Sequence, residues 1–368
     1  MTARATTLAL VGAVLAIAAA APAGAGAQEP VRICAGGDVT LGINADTLAL
    51  AGKGHRVPVA AWPEPAALLA PIAPLFGDAD IVLLNVEGAI GEGPATKCEA
   101  GSQHCFGLRM PPAAAAALRG VNARAAVVAN VANNHAHDAG DEGFDETRRR
   151  LGDAGVHITG ADSDATIVVT ARGDTVAFLG FSAAPPMDVR DIALVRRLVE
   201  RAAAITPRVV VTMHLGAEGP SAQRTRDTAE TFAGEERGDP VDFARAAIQG
   251  GAKVIVGHGP HVVRGVEWMN GALVFYSLGN LVTAGPFSMH PPNDRGLVAC
   301  AEMAPDGRVT RSVLRPTRQR GAGIAMPDVT ARAIGLADSL GRLDFPASRA
   351  GMAVEAELRP PGAPPPRD

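Results

Sequence analysis

Val209-Val210-Val211-Thr212-Met213-His214 sets an unbroken apolar run against a histidine at its end, and the same arrangement recurs four more times along the chain. Val31-Arg32-Ile33-Cys34-Ala35 runs on to Gly37-Asp38, and Ile81-Val82-Leu83-Leu84 to Asn85-Val86-Glu87. Ala125-Ala126-Val127-Val128-Ala129 leads through Asn130 to Asn133 into Asn134-His135, and Val254-Ile255-Val256-Gly257 into His258 and His261. Such short β-branched and aliphatic runs alternate with longer helix-like segments, the pattern of an α/β sheet with crossover helices. In a parallel or mixed α/β sheet the carboxyl ends of the strands open on one crevice, so five such ends are expected to converge there.

Taken singly, each residue has an ordinary explanation. Asp38 after Gly37 can cap a turn, and Asn134 with His135 can open a helix. Recurrence after five strands is what these explanations leave out. The mixed set of Asp38, Glu87, Asn134, His214, His258 and His261 favours zinc, manganese or iron over a thiolate-bound metal. Other chemistries find little support: there is no GxSxG elbow, no GxxxxGK[ST] phosphate loop, no HExxH and no CxxC.

Around these strands, helices are expected near Pro65 to Phe76, Pro112 to Arg119, Glu142 to Ala154, Ile192 to Ile205 and Val241 to Gln249. Asp141 is read as the cap of the third and Gly155 as its stop. Strands are closely spaced after Lys253, with a hairpin from Val262 to Tyr276 around Asn270-Gly271. At 368 residues, 47% hydrophobic and 20% charged, the chain can bury a large core. Its 34 basic and 38 acidic residues leave a net charge of -4, which gives no general electrostatic reason to expect a nucleic-acid partner.

The first 27 residues stand apart: Arg4, an apolar run from Leu8 to Ala21, Pro22 and Ala25-Gly26-Ala27. They read as a cleavable secretory signal cut before Gln28, with an uncleaved N-terminal anchor as the alternative. Export would place the protein in the periplasm or outside the cell, where Cys98 and Cys105 would close a small ring worth about 2.5 kcal/mol. Cys34 and Cys300 lie in apolar runs and read instead as buried thiols. The tail from Pro360 to Asp368 is Pro-rich and reads as disordered.

Six motifs in order carry a family resemblance: Gly37-Asp38-Val-Thr-Leu-Gly42, Asn85-Val-Glu87, Ala132-Asn133-Asn134-His135-Ala-His137-Asp138-Ala-Gly140, His214-Leu-Gly216-Ala-Glu218, Gly257-His258-Gly-Pro-His261 and Tyr276-Ser-Leu-Gly-Asn280. Together, over roughly residues 31 to 285, they resemble the CapA (PgsA) family of poly-γ-glutamate capsule proteins, a branch of the calcineurin-like metallophosphatase superfamily. The resemblance implies a four-layer α/β/β/α sandwich of the metallophosphatase type over residues 31–320, with residues 321–368 as a C-terminal extension. It implies one or two divalent transition-metal ions, held by Asp38, a bridging Glu87, Asn134, His214, His258 and His261, with His135 as general acid. Asp138, Gly140 and Glu218 would orient ligands or serve only helix entry and the surface. Three departures stand out: Thr40 replaces the first motif's histidine, Glu87 a bridging aspartate, and the closing motif has one extra residue.

Two functions follow as expectations. One is an exported metal-dependent hydrolase or transferase acting on an anionic envelope polymer, poly-γ-glutamate, or its precursor. The other is a non-catalytic metal-binding subunit of a membrane complex that makes and exports the polymer. Thr40 favours the second and His135 the first.

Overall fold

The computed structural model describes residues 29–43, 64–98, 105–284, 290–321, 323–352 and 357–360. Residues 1–28 and 361–368, on which the signal, the anchor and most of the Pro-rich tail fall, lie outside the described residues. No helix among the described residues is long and apolar enough to cross a membrane.

The larger sheet is built around β1 (Val31–Leu41). On one side follow β2 (Ile81–Val86), β5 (Ala126–Asn130) and β6 (His157–Thr159), all parallel. The other side mixes directions, with β15 (Asn280–Ala284) parallel to the second half of β1 and β16 (Arg295–Met303) antiparallel to the first. Beyond β16 lies β17 (Val309–Arg320), which carries β18 (Ile324–Pro327) and β20 (Glu357–Arg359), the last paired to β19 (Gly351–Met352). Chain beyond residue 320 therefore adds strands to this same sheet. The second sheet runs β13 (Val266–Met269), β14 (Ala272–Phe275), β12 (Val254–His258), β9 (Val209–His214), β8 (Thr175–Ser182) and β7 (Thr166–Val169). Two short pairs stand apart, β3 (Ala89–Ile90) with β4 (Arg109–Met110) and β10 (Thr231–Phe232) with β11 (Glu235–Glu236).

Three cores define the layers. Ile33, Leu83 and Val128 of the first sheet meet Phe178, Val210 and Val256 of the second in a core between the sheets. The outer face of the first sheet packs on α1 (Pro65–Leu69), α2 (Ala113–Arg119) and α3 (Gly140–Asp153) through Leu69, Leu118 and Leu151. The outer face of the second packs on α4 (Ile192–Ala203) and α5 (Pro240–Gly250) through Val195, Leu198 and Phe243. The result is an α/β/β/α sandwich. A sixth helix, α6 (Arg332–Asp344), contributes Ala333 and Ala337 to the inter-sheet core.

Local chemistry explains the element ends. The Asp191 carboxylate accepts from Leu194 N at 2.8 Å to start α4, and Asp239 accepts from Val241 N and Asp242 N to start α5 just before Pro240. At the hairpin, Asn270 and Gly271 both have positive φ, 49° and 81°, as a tight two-residue turn between twisted strands demands. Asp141 does not cap α3: the helix begins at Gly140, Asp141 lies inside its first turn, and the side chain pairs with His137 Nδ1 at 3.0 Å.

The reading of Cys34 and Cys300 as separate thiols is overturned. They face each other in the antiparallel register of β1 and β16 and form a disulfide, with Cα atoms 4.0 Å apart. The Cys98–Cys105 bridge is present as expected.

Candidate metal centre

All five strand ends open on the same side of the sandwich. Asp38 is turned into this crevice by an irregularity in β1: its register with β2 shifts between Ala35 and Asp38. At Gly37 a Cβ would fall 1.9 Å from the Gly279 carbonyl oxygen, so only glycine lets the strand pass, and Asp38 N then donates to that same oxygen at 3.0 Å. Glu87 follows β2, with its N–H donated to Val39 O at 2.9 Å and its own carbonyl accepting from Thr40 Oγ1 at 2.8 Å. Thr40, where the resemblance leads one to look for a ligand, thus spends its hydroxyl on holding Glu87. His214 and His258 end the parallel neighbours β9 and β12 in direct register. His261 sits in the following turn with φ of 56°.

The three histidines and two carboxylates form one cluster. Single ligand atoms of Asp38, Glu87 and His261 all lie within 4.8 Å of one another. His261 Nδ1 faces two acceptors, Asn280 Oδ1 at 3.0 Å and Asp38 Oδ2 at 3.1 Å, which keep a proton on that nitrogen. Its Nε2 lies 3.5 Å from Glu87 Oε1, and His214 Nε2 lies 3.9 Å from the same oxygen. His258 Nδ1 is 3.3 Å from Asp38 Oδ1. Asn134 makes no hydrogen bond or ion pair with these side chains; its carbonyl oxygen accepts from Lys97 Nζ at 2.8 Å, and its Oδ1 is buried without a hydrogen-bond partner among the described residues.

Burial makes this arrangement costly. Beyond the histidine–carboxylate contacts just given, Glu87 Oε1 and Oε2, Asp38 Oδ2, both His258 ring nitrogens, His214 Nε2 and Asn134 Oδ1 are buried with no further hydrogen-bond partner among the described residues. A buried polar atom left unpaired costs about 1–3 kcal/mol, so a concentration of them in one crevice calls for a ligand. The donor set, imidazole nitrogens with carboxylate and amide oxygens, suits a divalent transition metal. Burial and the neighbouring charges set the protonation of the cluster. Burial pushes Glu87 well above the usual carboxylate range, with the negative charges of Asp38, Glu218 and Asp138 adding to it against the pull of His261. Burial would also raise Asp38, but His258 and His261 outweigh it and hold Asp38 far below its ordinary value. Burial pushes His214 well down. It would lower His261 too, but Glu87, Asp38 and Glu218 prevail and raise it.

His135 stands beside the cluster as one half of a dyad, its Nδ1–H donating to Asp138 Oδ2 at 2.6 Å. His135 is close enough to influence the charge on His214, and Asp138 that on Glu87. With Nδ1 committed, Nε2 is the nitrogen left to exchange a proton with a ligand.

The supporting contacts around the cluster involve Asn85, Asn130 and Asn133, to which the sequence assigned no role, and Glu218, expected there as a residue that would orient ligands. Asn85 donates to Asp38 Oδ1 at 2.8 Å, lies 3.3 Å from His214 Nδ1, and accepts from Asn130 at 2.9 Å and Asn133 at 3.3 Å. This chain of amides ties β1, β2, β5 and β9 together directly under the carboxylates. Its only trace in the sequence is asparagine at the ends of two aliphatic runs. Glu218 Oε2 lies 3.8 Å from His261 Nε2 and Glu218 Oε1 lies 3.6 Å from Arg237.

Comparison with known proteins adds an independent line. The chain is 32% identical over 172 residues to the PGA biosynthesis protein CapA of Bacillus subtilis (strain 168), covering 42% of each. It is 29% identical over 166 residues to the capsule biosynthesis protein CapA of Bacillus anthracis, covering 42% of this chain and 39% of that one. The aligned parts thus span less than half the length of these curated relatives. Among solved structures, the 5'-nucleotidase precursor from Thermus thermophilus aligns over 86% of this chain and 59% of its own, at 12% identity and a TM-score of 0.39. Residues 32–284, more than half of the chain and all of the metal-competent cluster, match a family described as bacterial capsule synthesis protein PGA_cap, and the chain belongs to that family.

Proposed function

We propose that this chain is a metal-dependent hydrolase acting on an anionic substrate in the synthesis or processing of a poly-γ-glutamate capsule or envelope polymer. The observation that carries the reading is the cluster of Asp38, Glu87, His214, His258 and His261, with buried ligand atoms on Glu87, His214 and His258 that make no hydrogen bond, beside the His135–Asp138 dyad. A divalent zinc, manganese or iron ion held there would neutralise the carboxylates and supply Lewis acidity toward an anionic oxygen. His135 then gives its Nε2 proton to the leaving group, while Asp138 fixes the ring and balances its charge. Export through the N-terminal segment and contact with a membrane polymer-synthesis complex belong to the same proposal; an N-terminus near Gln28 on mass spectrometry of the native protein supports export by cleavage.

One observation favours a second reading, a metal-binding subunit without turnover. Thr40 Oγ1 is engaged with the Glu87 carbonyl, so this strand supplies no second ligand after Asp38. The experiment that separates them measures metal content and hydrolysis of phosphoester and γ-glutamyl substrates in parallel for the wild type and His135→Gln. The enzyme reading expects full metal and a rate about 100- to 10,000-fold lower in the variant. Equal turnover in both defeats the general-acid role, and wild-type protein carrying metal but without turnover on either substrate class favours the binding subunit.

A further inference from the structure

The Cys98–Cys105 disulfide closes a ring whose two flanks end on the same carboxylate. On the entering side, Thr96 N and Lys97 N donate to the Asp138 carbonyl oxygen at 2.7 and 3.0 Å, and Lys97 Nζ lies 3.0 Å from Asp138 Oδ1. On the leaving side, Leu108 N donates to Asp138 Oδ2 at 2.6 Å, the same oxygen that receives His135 Nδ1–H at 2.6 Å. The Leu108 carbonyl in turn accepts from Ala89 N at 2.9 Å, two residues past Glu87, which pins this flank to the strand carrying the cluster's second carboxylate. Lys97 is one of three lysines in the whole chain, and its Nζ also holds the Asn134 carbonyl at 2.8 Å.

We propose that the Cys98–Cys105 ring is a positioning element: by fixing Lys97 and Leu108 on Asp138, it sets the direction of the His135 imidazole beside the metal-competent cluster. A carboxylate with only the histidine as partner can rotate about its side-chain torsions and carry the ring with it. Lys97 Nζ and the Leu108 N–H, on two chain segments, remove that freedom at the carboxylate, Thr96 N and Lys97 N hold the backbone carbonyl of the same residue, and the disulfide keeps the two segments at a fixed separation. The inference rests on the reading of His135 as proton donor, because the direction of Nε2 matters to function only if that nitrogen delivers a proton. Lys97, Cys98 and Cys105 are positioning residues here and touch no reacting atom.

The test follows the ring proton itself. A buried imidazole N–H bound to a carboxylate gives a far-downfield proton resonance, assigned by its disappearance in His135→Gln. Spectra, metal content, kcat and KM on an aryl phosphomonoester are compared for the wild type, Cys98→Ser/Cys105→Ser, Lys97→Met and Lys97→Arg. Lys97→Met keeps the disulfide and so covers the case in which the cysteine variant does not fold. The expected result is loss or broadening of the resonance in Lys97→Met and in the cysteine pair, with metal retained, kcat about tenfold lower and KM unchanged, and recovery in Lys97→Arg. An unchanged His135 resonance in Lys97→Met overturns the proposal. A wild type with no turnover, whose resonance is nonetheless lost in Lys97→Met, supports positioning and overturns only the proton-donor reading on which its use depends.

Discussion

The two ends of β8 and β9 treat buried charge in opposite ways. At their amino ends, Asp174 and Arg208 are both buried and lie 3.2 Å apart, with Arg208 Nε also donating to the Ala304 carbonyl and Asp174 N to Thr170 Oγ1. At the carboxyl ends, about 20 Å away at the usual rise per residue, His214 and His261 face Glu87, neither of whose oxygens makes a hydrogen bond among the described residues. The first arrangement matches one guanidinium to one carboxylate; the second gathers two carboxylates and three imidazoles and leaves both Glu87 oxygens without a hydrogen bond. Burial alone therefore does not mark function, and the useful distinction is whether a buried charge has its partner already in the chain.

That contrast is open to test from both ends. The largest expected effect is at the paired end: Asp174→Ala leaves Arg208 buried without its counter-charge and should cost about 3–5 kcal/mol, read as a lower denaturant midpoint, with metal content unchanged. An equal loss of metal would join the two ends and break the comparison. Next, Asp38→Asn at the open end should weaken metal binding by about 100-fold, measured by competition with a chelator, while the folded protein survives. The smallest effect has the opposite sign. Glu87→Gln should stabilise the metal-free protein by about 1 kcal/mol at neutral pH, because it removes a carboxylate that the fold leaves unpaired.

The pH dependence sharpens this last case. Folded Glu87 keeps its proton to higher pH than the unfolded chain, in which a glutamate ionises near 4.5. Above that pH the unfolded state binds fewer protons, so Glu87 makes the metal-free protein less stable as pH rises, until the folded carboxyl also ionises. Denaturation curves of wild type and Glu87→Gln should therefore diverge upward from about pH 4.5, and parallel curves across that range would show that Glu87 is not the group responsible.

Much of the architecture was legible because strands buried on both faces read as plain aliphatic runs. Val209 to Met213 and Ile81 to Leu84 need no alternation, since helices cover one face and the other sheet covers the opposite one. The candidate ligands were legible for the same reason: a polar residue that ends such a run stands out. The supporting shell did not, because asparagines such as Asn85 and Asn130 look like ordinary strand terminators, and their mutual hydrogen bonds depend on strand order, which one sequence does not state. Cys34 and Cys300 were misread on the same ground. Their bond depends on β1 and β16 lying side by side across 266 positions of sequence, and an apolar run carries no information about its neighbour. Asp141 is a good capping residue, yet α3 begins at Gly140, with φ of 70°, two residues before the expected Glu142, and Ala139 holds the cap position.

The place of β1 at the middle of its sheet has a consequence for how the chain comes to be made. Its partners on one side, β15 and β16, begin at Asn280 and Arg295, more than two-thirds of the chain later. The roughly 240 residues between Leu41 and Asn280 take on the order of 10–50 s to synthesise. Throughout that interval β1 and β2 can pair with each other, but the far edge of β1, from Val31 through Leu41, stays open to any strand that passes. The register that seats Asp38 in its crevice thus makes the growing chain depend on being kept apart from its neighbours until its last third emerges.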